Sequence, residues 1–222
     1  MVKCISVGVY MKDFPFFTTP AGVASITLSQ IPYTGKAYIT IQDSAEPNKL
    51  LKECCDFCNA AGASVVYASG HDCLENYPLH TEIILMRALR EDFKITDADL
   101  ISVTDQTLSS FCEIYNAGMK NVPNAAYMSG SEGKKMLSEG KGYFVYRDGE
   151  MLGIGIAGGT RIDAIVSLVP GCGKDVLLTL NSALSDVYAE VEVATSNIPA
   201  IRLYEKMGFV LYQHISKWYR II

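Results

Sequence analysis

Apolar residues recur with two different periods in the second half of the chain, and each period predicts a different element. Spacings of three and four residues predict helices over 105–119, 131–138 and 174–185. Short apolar or alternating runs predict strands over 142–147, 151–157, 162–169, 188–193 and 210–220. Asp148 and Gly149 form a hairpin turn signal between the first two strands. Two helices therefore precede three strands, after which helices and strands alternate.

The first ninety residues carry a shorter version of the same alternation. Their pattern predicts strands over 37–42, 64–68 and 81–87 and helices over 48–60 and 72–77. The apolar run 65–69 then corresponds to 191–195, and Tyr77 falls close to the position that Tyr204 has in the later region. This segment is either a degenerate half-repeat of the later region or an unrelated α/β domain.

The most charged stretch, residues 90–100, lies between these two regions and is the predicted domain boundary. We expect residues 1–92 to form an N-terminal α/β domain and residues 93–222 to form a second, larger domain. A chain of 222 residues is long enough for one large domain or two modest ones.

Composition and charge narrow the function classes. Hydrophobic residues make up 49% of the chain and charged residues 19%, which is enough to build a core. Net charge is −5: residues 1–92 hold 7 basic and 10 acidic residues, and residues 93–222 hold 12 and 14. Because neither region is basic and no Lys/Arg cluster is present, nucleic acid is not an expected partner.

No segment has the pattern of an export signal or of a membrane-spanning helix. Lys3, Lys12 and Asp13 interrupt the first twenty residues, and no cleavage site follows them. The longest run of apolar residues and glycine, 151–159, is far shorter than the roughly 20 residues that cross a bilayer. A cytoplasmic protein with no membrane partner is therefore expected.

The seven cysteines are an odd number in a chain without an export signal, which is typical of reduced thiols. Cys55 and Cys58 form a C-x-x-C pair, but no second pair or histidine set follows at the spacing of a zinc site. We therefore predict buried helix cysteines here and no bound metal.

Thirteen residues, Asn197 to Phe209, read N-x-x-A-x-x-L-Y-x-x-x-G-F directly after a predicted strand. Asn197 is predicted to cap a helix with its side chain, Pro199 suits the first turn, and Gly208 suits the left-handed residue past the helix end. One helical face carries the apolar residues Ala200, Leu203, Tyr204 and Met207. Taken locally, the segment is a capped amphipathic helix.

The same strand–Asn–helix–Tyr–Gly–Phe string resembles the closing motif of the GNAT superfamily of N-acetyltransferases. The match is complete at Asn197, Ala200, Leu203, Tyr204, Gly208 and Phe209. The order of predicted elements over about 94–222 is also that of a GNAT domain. The resemblance implies an α/β (α+β) fold with a mixed, mainly antiparallel central sheet flanked by helices. Residues 1–92 would add a smaller α/β domain, itself GNAT-like if the half-repeat is real.

The resemblance implies acetyl-CoA as cosubstrate, with its pyrophosphate held where the strand 162–169 meets the next helix. Helix N-termini present free N–H groups to phosphate. Family members have Gln/Arg-x-x-Gly-x-Gly/Ala in this loop; Gly171 and Gly173 match the glycine pair, whereas Leu168 replaces the Gln or Arg. The predicted cofactor-binding residues are Leu168, Val169, Gly171, Cys172, Gly173, Lys174, Asp175, Asn197 and Tyr204.

Tyr204 occupies the position from which GNAT enzymes protonate the leaving CoA thiolate, so it is the predicted catalytic general acid. A phenol, with a reference pKa of about 10, is protonated at pH 7 and suits this task. Asn197 is expected beside the cofactor arm, where the two central strands part. No base is assigned; the candidates on predicted strands are Asp163, Glu190, Glu192 and His214.

The leading hypothesis is an acyl-CoA-dependent N-acyltransferase, a monomer or homodimer, that moves an acetyl group to a primary amine of a small molecule or peptide. A non-catalytic GNAT-like sensor that binds CoA or another ligand is the alternative, which the missing Gln or Arg at 168 favours. A third hypothesis is a protein–protein adaptor in which the motif is only structural. We expect residues 1–92 to pack on the second domain and to cover its acceptor side, since a small isolated sheet would leave an edge exposed.

Overall fold

The computed structural model describes residues 3–5, 16–94 and 96–222. Its strands, in chain order, are β1 (Lys3–Ile5), β2 (Phe16–Thr19), β3 (Gly22–Thr27), β4 (Lys36–Ser44), β5 (Val65–Ser69), β6 (Leu79–Leu89), β7 (Asp99–Ser102), β8 (Gly142–Arg147), β9 (Glu150–Gly158), β10 (Arg161–Ser167), β11 (Tyr188–Ala194) and β12 (Val210–Arg220). Its α-helices are α1 (Ile31–Thr34), α2 (Pro47–Ala60), α3 (Leu108–Met119), α4 (Gly130–Ser138), α5 (Gly173–Leu180) and α6 (Ile198–Lys206). The prediction that the chain has no export signal rests partly on Lys12 and Asp13, which lie outside the described residues.

The described residues form two compact units. The larger unit contains residues 84–214 with β1, and the smaller unit contains residues 16–83 with Ile215–Ile222. The change from one unit to the other falls inside β6 and β12, whereas the predicted boundary lay in the charged stretch 90–100. The residues at the end of the chain thus belong to the same compact unit as the early strands. Whether 1–92 and 93–222 fold as separate domains stays a prediction.

In the larger unit the sheet runs in the order β7-β8-β9-β10-β11-β6. The neighbours from β7 to β10 are antiparallel, and β10 and β11 are parallel. The turn between β8 and β9 has φ of 50° at Asp148 and 82° at Gly149, the left-handed pair that a type I′ hairpin requires. Because parallel strands need a crossover connection, α5 joins β10 to β11. The predicted mixed, mainly antiparallel sheet flanked by helices is confirmed.

Helices lie on both faces of this sheet, and each face has its own apolar cluster. The cluster under α5 and α6 includes Val176, Leu177, Leu180, Ala200 and Tyr204. The cluster under α3 and α4 includes Phe111, Tyr115, Met119 and Met136. Burial of these side chains is the main favourable term that holds the helices against the strands.

Two glycines of β9 let α5 approach the sheet closely. A Cβ on Gly155 would lie 2.2 Å from Cδ1 of Leu180, and one on Gly153 would lie 2.9 Å from Cγ2 of Val176. The same Cβ atoms would lie 2.8 Å and 2.3 Å from carbonyl oxygens of β10. The glycine-rich sequence of this strand is therefore explained by helix–sheet packing.

In the smaller unit the strands run in the order β2-β3-β4-β5-β12, and this unit has its own core. β4 and β5 are parallel and are joined by α2. Cys54, Cys55 and Cys58 of α2 are buried in this core, and burial raises the pKa of the Cys54 thiol to about 12 and those of Cys55 and Cys58 to about 11. The prediction that the C-x-x-C cysteines are buried helix residues is confirmed.

Every helix and strand predicted from 105 onward is present. α3 begins at Leu108 instead of 105, and α5 ends at Leu180 and is followed by a 3₁₀ turn, Asn181–Ala183. The predicted helix at 72–77 is a 3₁₀ turn, Asp72–Asn76. The sequence pattern did not predict β1, β2, β3, β7 or α1. β7 lies at the sheet edge and is largely exposed, so it has no buried face to produce an apolar pattern. Within the described part of the chain, no helix is both long and apolar enough to span a membrane.

Candidate active site

The parallel strands β10 and β11 pair at one position and then part. The ladder joins Arg161 to Glu190, and the Glu190 amide donates to the carbonyl oxygen of Thr160 at 2.8 Å. Directly after this pair, the ladder between β9 and β10 shifts register between Ile162 and Ala164. A bulge of this kind bends a strand and increases its twist, which accounts for the separation. The parallel ladder between the two strands therefore ends after one pair, before their carboxyl ends.

β1 lies along the edge of β10 in this region. It runs antiparallel to β10, with Lys3 opposite Val166, Cys4 opposite Ile165 and Ile5 opposite Ala164. These β10 residues all follow the single pair with β11. Nothing in the sequence pattern predicted this strand, because three residues are too few to display a period.

The loop between β10 and α5 is fixed to the sheet by its backbone. The Leu168 amide donates to the carbonyl oxygen of Leu152 at 2.9 Å, and the Ser167 hydroxyl donates to that of Val169 at 2.9 Å. Ser167 is buried, whereas the Leu168 side chain is 38% exposed. Leu168 therefore reaches the site through its backbone rather than through its side chain.

The first turn of α5 presents its amides at the end of this loop. Cys172 occupies the N-cap position and makes no capping hydrogen bond with its side chain. Gly171 has φ of 87°, and no atom lies within 4 Å of the place where its Cβ would be. Amides of a first helical turn have no intrahelical acceptor, and with the helix dipole they favour an anion. Gly171 of the predicted glycine pair thus lies in a loop that can approach phosphate closely, and Gly173 is the first residue of α5.

Arg147, which the sequence analysis missed, brings positive charge to the same turn. Its Nη1 lies 3.3 Å from Oδ2 of Asp175, in the first turn of α5, and its Nε lies 2.8 Å from Oδ1 of Asp97. Lys174, in the first turn of α5, is exposed. Arg147 directly precedes the β8–β9 turn, but only the strand register, which the hydrophobic pattern does not fix, places it next to α5.

Asn197 occupies the N-cap position of α6, as predicted, but its side chain makes no capping hydrogen bond. The backbone carbonyl of Asn197 instead accepts from the amides of Ala200 and Ile201, both at 3.1 Å. The predicted side-chain cap is therefore wrong, because Pro199 and this backbone carbonyl already define the helix start. Gly208 has φ of 85°, the left-handed conformation predicted past the helix end.

Tyr204 is completely buried, with 0% of its surface exposed, and lies in the apolar cluster under α5 and α6. Its ring centroid lies 5.4 Å from that of Phe209, and Phe209 stacks on Phe93 at 5.4 Å. Val169 and Cys172 pack against the same cluster. Three of the predicted cofactor-binding residues thus belong to or pack against one apolar cluster, and the Phe that closes the motif packs against the Tyr.

Two arginines and two glutamates form an ion-pair cluster on β6, β10 and β11. Glu190 pairs with Arg87, with Nε and Oε1 2.8 Å apart, and Glu192 pairs with the Nη2 of Arg161. The Arg87 guanidinium also lies over the ring of Tyr212, 3.5 Å from its centroid. Since Glu190 and Glu192 alternate with the residues of β11 that face α5 and α6, they point to the opposite face of the sheet.

Glu192 is the candidate base with the most distinctive environment. It is 4% exposed and lies two residues beyond the last pair between β10 and β11, where the strands have parted. Burial raises its pKa above the ordinary carboxyl value; Arg161 opposes this shift, and Asp163 and Glu190 add to it. A carboxylate with a raised pKa is a stronger base, which is the property that proton abstraction from an amine needs.

The other candidate bases differ from Glu192 in exposure or in partners. Glu190 is held by Arg87, with Arg161 Nε at 3.9 Å from its Oε2, and Asp163 is half-buried. His214 is exposed on β12. No group of three or more His, Cys, Asp or Glu residues that could hold a metal occurs among residues 3–5, 16–94 and 96–222.

Comparisons with known proteins were made by sequence and by structure. No sequence family profile matches the chain, and no curated protein matches it. A functionally unknown conserved protein from Staphylococcus epidermidis is 13% identical, with a TM-score of 0.61 over 94% of this chain and 93% of the other. A GNAT-family acetyltransferase from Colwellia psychrerythraea is 13% identical, with a TM-score of 0.52 over 93% and 84%. A tandem GNAT protein from the clavulanic acid biosynthesis pathway is 11% identical, with a TM-score of 0.53 over 90% and 78%.

The solved structures that this chain resembles are mostly GNAT-family acetyltransferases. TM-scores of 0.51–0.61 at identities of 10–13% establish a shared fold and leave substrate and mechanism open. The closing motif, the parted parallel strands and these structures agree: the chain has the fold of the GNAT superfamily of N-acetyltransferases.

Proposed function

We propose that this protein is an acyl-CoA-dependent N-acyltransferase that transfers an acetyl group from acetyl-CoA to a primary amine. The observation that carries the proposal is the single pair between β10 and β11, Arg161 with Glu190, after which the strands part. A fully paired parallel sheet leaves no space between its strands, whereas parted strands leave a cleft with backbone amides on its wall. The proposed acid and base lie on the two faces of the sheet that border this cleft.

Acetyl-CoA lies in this cleft, with its pyrophosphate at the loop of Leu168 and Val169 and at residues 171–175. The support for this placement is the uncapped first turn of α5, the open backbone at Gly171, and the charges of Lys174 and Arg147. Asp175 is paired with Arg147, which reduces its repulsion of phosphate. Asn197, whose side chain is not used for capping, lies at the carboxyl end of β11 beside the cofactor arm.

Transfer from a neutral amine requires one proton to leave the nitrogen and one to reach the sulfur; an amine that binds in its protonated form first loses a proton to solvent. The amine nitrogen attacks the thioester carbonyl, the C–N bond forms and the C–S bond breaks. Glu192 accepts the amine proton, and Tyr204 donates its phenolic proton to the departing thiolate. Glu192 lies on the face of β11 opposite to α6, whereas Tyr204 comes from α6, so acid and base act from the two sides of the cleft.

The acceptor is a small-molecule or peptide amine. Near the parted strands the carboxylates Asp163, Glu190 and Glu192 outnumber the two arginines, Arg87 and Arg161. A surplus of carboxylates favours a protonated amine over an anionic acceptor. The enzyme acts as a monomer or homodimer, without nucleic acid and in the cytoplasm.

The smaller unit is a degenerate half of the same fold. Its β4–α2–β5 crossover has the same order and the same parallel pairing as β10–α5–β11. A solved tandem GNAT protein with a TM-score of 0.53 has a similar fold over 90% of this chain. The smaller unit contains no copy of the closing motif, so we assign the chemistry to the larger unit.

Two measurements test the function. Acetyl-CoA at a hundredfold excess over its Kd should raise the unfolding free energy by about 2.7 kcal/mol, visible as a higher Tm. Thioester consumption should then require an amine, and a panel of small-molecule and peptide amines identifies the acceptor. An unchanged Tm in millimolar acetyl-CoA would refute the cofactor assignment.

A non-catalytic sensor that binds CoA or another ligand is the second candidate. It is favoured by Leu168 in place of Gln or Arg and by Tyr204, which is 0% exposed. A sensor would raise the Tm with acetyl-CoA but consume no thioester with any amine of the panel. The two functions therefore give different outcomes in the same pair of assays.

A further inference from the structure

We infer that β1 and the extended arm of acyl-CoA compete for one edge of β10, so that this protein regulates access to its own cleft. The inference rests on the proposed function, because it concerns the same cleft. It adds β1 as a second occupant of this edge of β10, and it requires that β1 leave the edge before acyl-CoA binds.

The geometry places β1 where β10 has left β11. The residues of β10 that pair with β1 are Ala164, Ile165 and Val166, all beyond the single Arg161–Glu190 pair. On its other edge β10 is already paired with β9 along Ala164–Ile156, Ile165–Gly155 and Val166–Ile154. The edge toward β11 is therefore the one that an added strand can use, and β1 uses it.

β1 and the arm of acyl-CoA offer the same kind of hydrogen-bonding group to the edge of β10. β1 offers backbone N–H and C=O groups to β10, and the pantetheine arm of CoA offers two amide groups on an extended chain. An extended ligand with amides adds to an exposed sheet edge as a strand does. Each N–H and C=O group along this edge can serve one partner strand at a time, so the two occupants exclude each other.

The docked strand is short enough to be displaced. Its ladder has three register pairs, Lys3, Cys4 and Ile5 with their β10 partners, whereas strands usually have about 5–6 residues. A ligand that also contacts the first turn of α5 gains interactions in addition to hydrogen bonds along the edge of β10, where the ladder with β1 covers Ala164 to Val166. The apparent affinity for acyl-CoA is then the intrinsic affinity reduced by the fraction of molecules in which β1 is undocked.

Substitution of Cys4 and Ile5 together by proline tests the competition. Adjacent residues of a strand direct their N–H groups to opposite sides, so the double variant removes a donor toward β10 whichever residue supplies it. The matched control is Cys4→Ala with Ile5→Ala, which changes the same side chains but keeps both amides. If β1 is docked in about nine of ten molecules, the proline variant should bind acetyl-CoA about tenfold more tightly than the control by calorimetry.

A second measurement uses the unaltered protein and does not depend on the folding of the proline variant. Hydrogen exchange of the Lys3, Cys4 and Ile5 amides, followed by NMR, should become faster when acetyl-CoA is saturating. Amides of α3 on the far face of the sheet are the internal reference and should not change. Unaltered exchange at β1 with bound acetyl-CoA would overturn the inference.

The outcomes separate this inference from the proposed function. Tighter binding by the proline variant and faster exchange at β1 support both. Equal binding by the proline and alanine variants overturns the competition and leaves the cofactor assignment intact. If neither the unaltered protein nor any variant binds acetyl-CoA, the proposed function fails, and the competition fails with it.

Discussion

The two parallel strand pairs of this protein share a topology and differ in the length of their ladders. In the smaller unit, β4 and β5 pair at five consecutive positions, from Lys36 with Val65 to Thr40 with Ser69. In the larger unit, β10 and β11 pair only at Arg161 with Glu190. Both pairs are joined by one helix, α2 or α5, so the crossover alone does not open a cleft. In the larger unit, the strands part because the ladder between β10 and β11 ends after one pair.

The sequences around the two ladders explain the difference. β10 has a register shift with β9 between Ile162 and Ala164, directly after its pair with β11. β4 also has a register shift, but with β3 and beyond its ladder with β5, between Val23 and Ala24 of the partner strand. A bulge beside a ladder bends the strand away from its neighbour, whereas one beyond it leaves the ladder intact. The position of one irregularity therefore separates a closed sheet from an open one.

The helix starts differ as well. α5 follows a loop with Gly171 and begins at Gly173, whereas α2 follows Glu46; neither N-cap residue makes a side-chain capping hydrogen bond. Glu46 forms an ion pair with Lys49, with Nζ and Oε1 3.3 Å apart. A carboxylate close to a helix N-terminus disfavours a second anion there. Among its described residues, the smaller unit thus has neither parted parallel strands nor a glycine loop before its crossover helix.

The largest effect is expected from Tyr204→Phe, which tests whether the motif helix of the larger unit carries the chemistry. Loss of a general acid lowers kcat by about 10²–10⁴-fold, and the Kd for acetyl-CoA should change little because the ring still packs on Phe209. Tyr77→Phe, close to the matching position of the smaller unit, is the control and should leave kcat unchanged. An unaltered kcat in the Tyr204 variant, with chemistry rate-limiting, would remove this residue from the mechanism.

The next effect is a change in pH dependence on Glu192→Gln. In the unaltered protein kcat/KM should rise with pH as Glu192 loses its proton, and burial places this rise above the ordinary carboxyl pKa. The glutamine variant should lose the rising limb and about 10²-fold in kcat/KM at neutral pH, because an amide accepts no proton. Glu150→Gln, exposed on β9, should keep the limb and the rate. A rising limb that survives in the Glu192 variant would assign it to another group.

A smaller effect, on stability, is expected from Gly155→Ala, because α5 lies closer to its sheet than a Cβ permits. The added methyl group would lie 2.2 Å from Cδ1 of Leu180 and 2.8 Å from the carbonyl oxygen of Ala164. Overpacking of this kind should lower the unfolding free energy by about 1–3 kcal/mol in denaturant titrations. Gly130→Ala, with no atom within 4 Å of its new Cβ, should be neutral or stabilise by up to about 1 kcal/mol. Equal destabilisation by both variants would contradict the packing argument.

The smallest effect is expected from Lys174→Ala, which compares the two helix starts directly. Lys174 is exposed in the first turn of α5, so its loss should weaken acetyl-CoA binding by only about two- to fivefold at low salt. Lys49→Ala, in the first turn of α2, should leave the Kd unchanged. A weaker Kd in the Lys49 variant would place the phosphates at the other helix.

Much of the larger unit was predictable because its elements have strong local signals. β8 and β12 have the predicted bounds, and the turn at Asp148 and Gly149 has the predicted left-handed conformation. The start of α6 was predicted at the right residue, although Asn197 does not cap it with its side chain. Local residues decide such features, so one sequence suffices. β7 was missed because an exposed edge strand has no apolar face.

The candidate site was predictable only where a motif marks it. Tyr204 and the loop at 168–175 stay predictions from the closing motif and the glycine pair; Tyr204 belongs to an apolar cluster against which Val169 and Cys172 also pack. Arg147 and the pairing of Arg161 with Glu192 were not predicted, since each depends on which strands become neighbours. Glu192 was one of four candidate bases in the sequence, and its burial together with its raised pKa distinguishes it.

By itself, the sequence determined the order of the helices and strands beyond residue 105 and the residue types at the motif positions, because periodicity and turns act over a few residues. Only the tertiary structure decided that β10 and β11 part after one pair and that β1 lies on the edge so exposed. It also decided that Glu192 is buried beside Arg161. Strand register and neighbours arise from contacts between residues far apart in the chain, so no local pattern contains them.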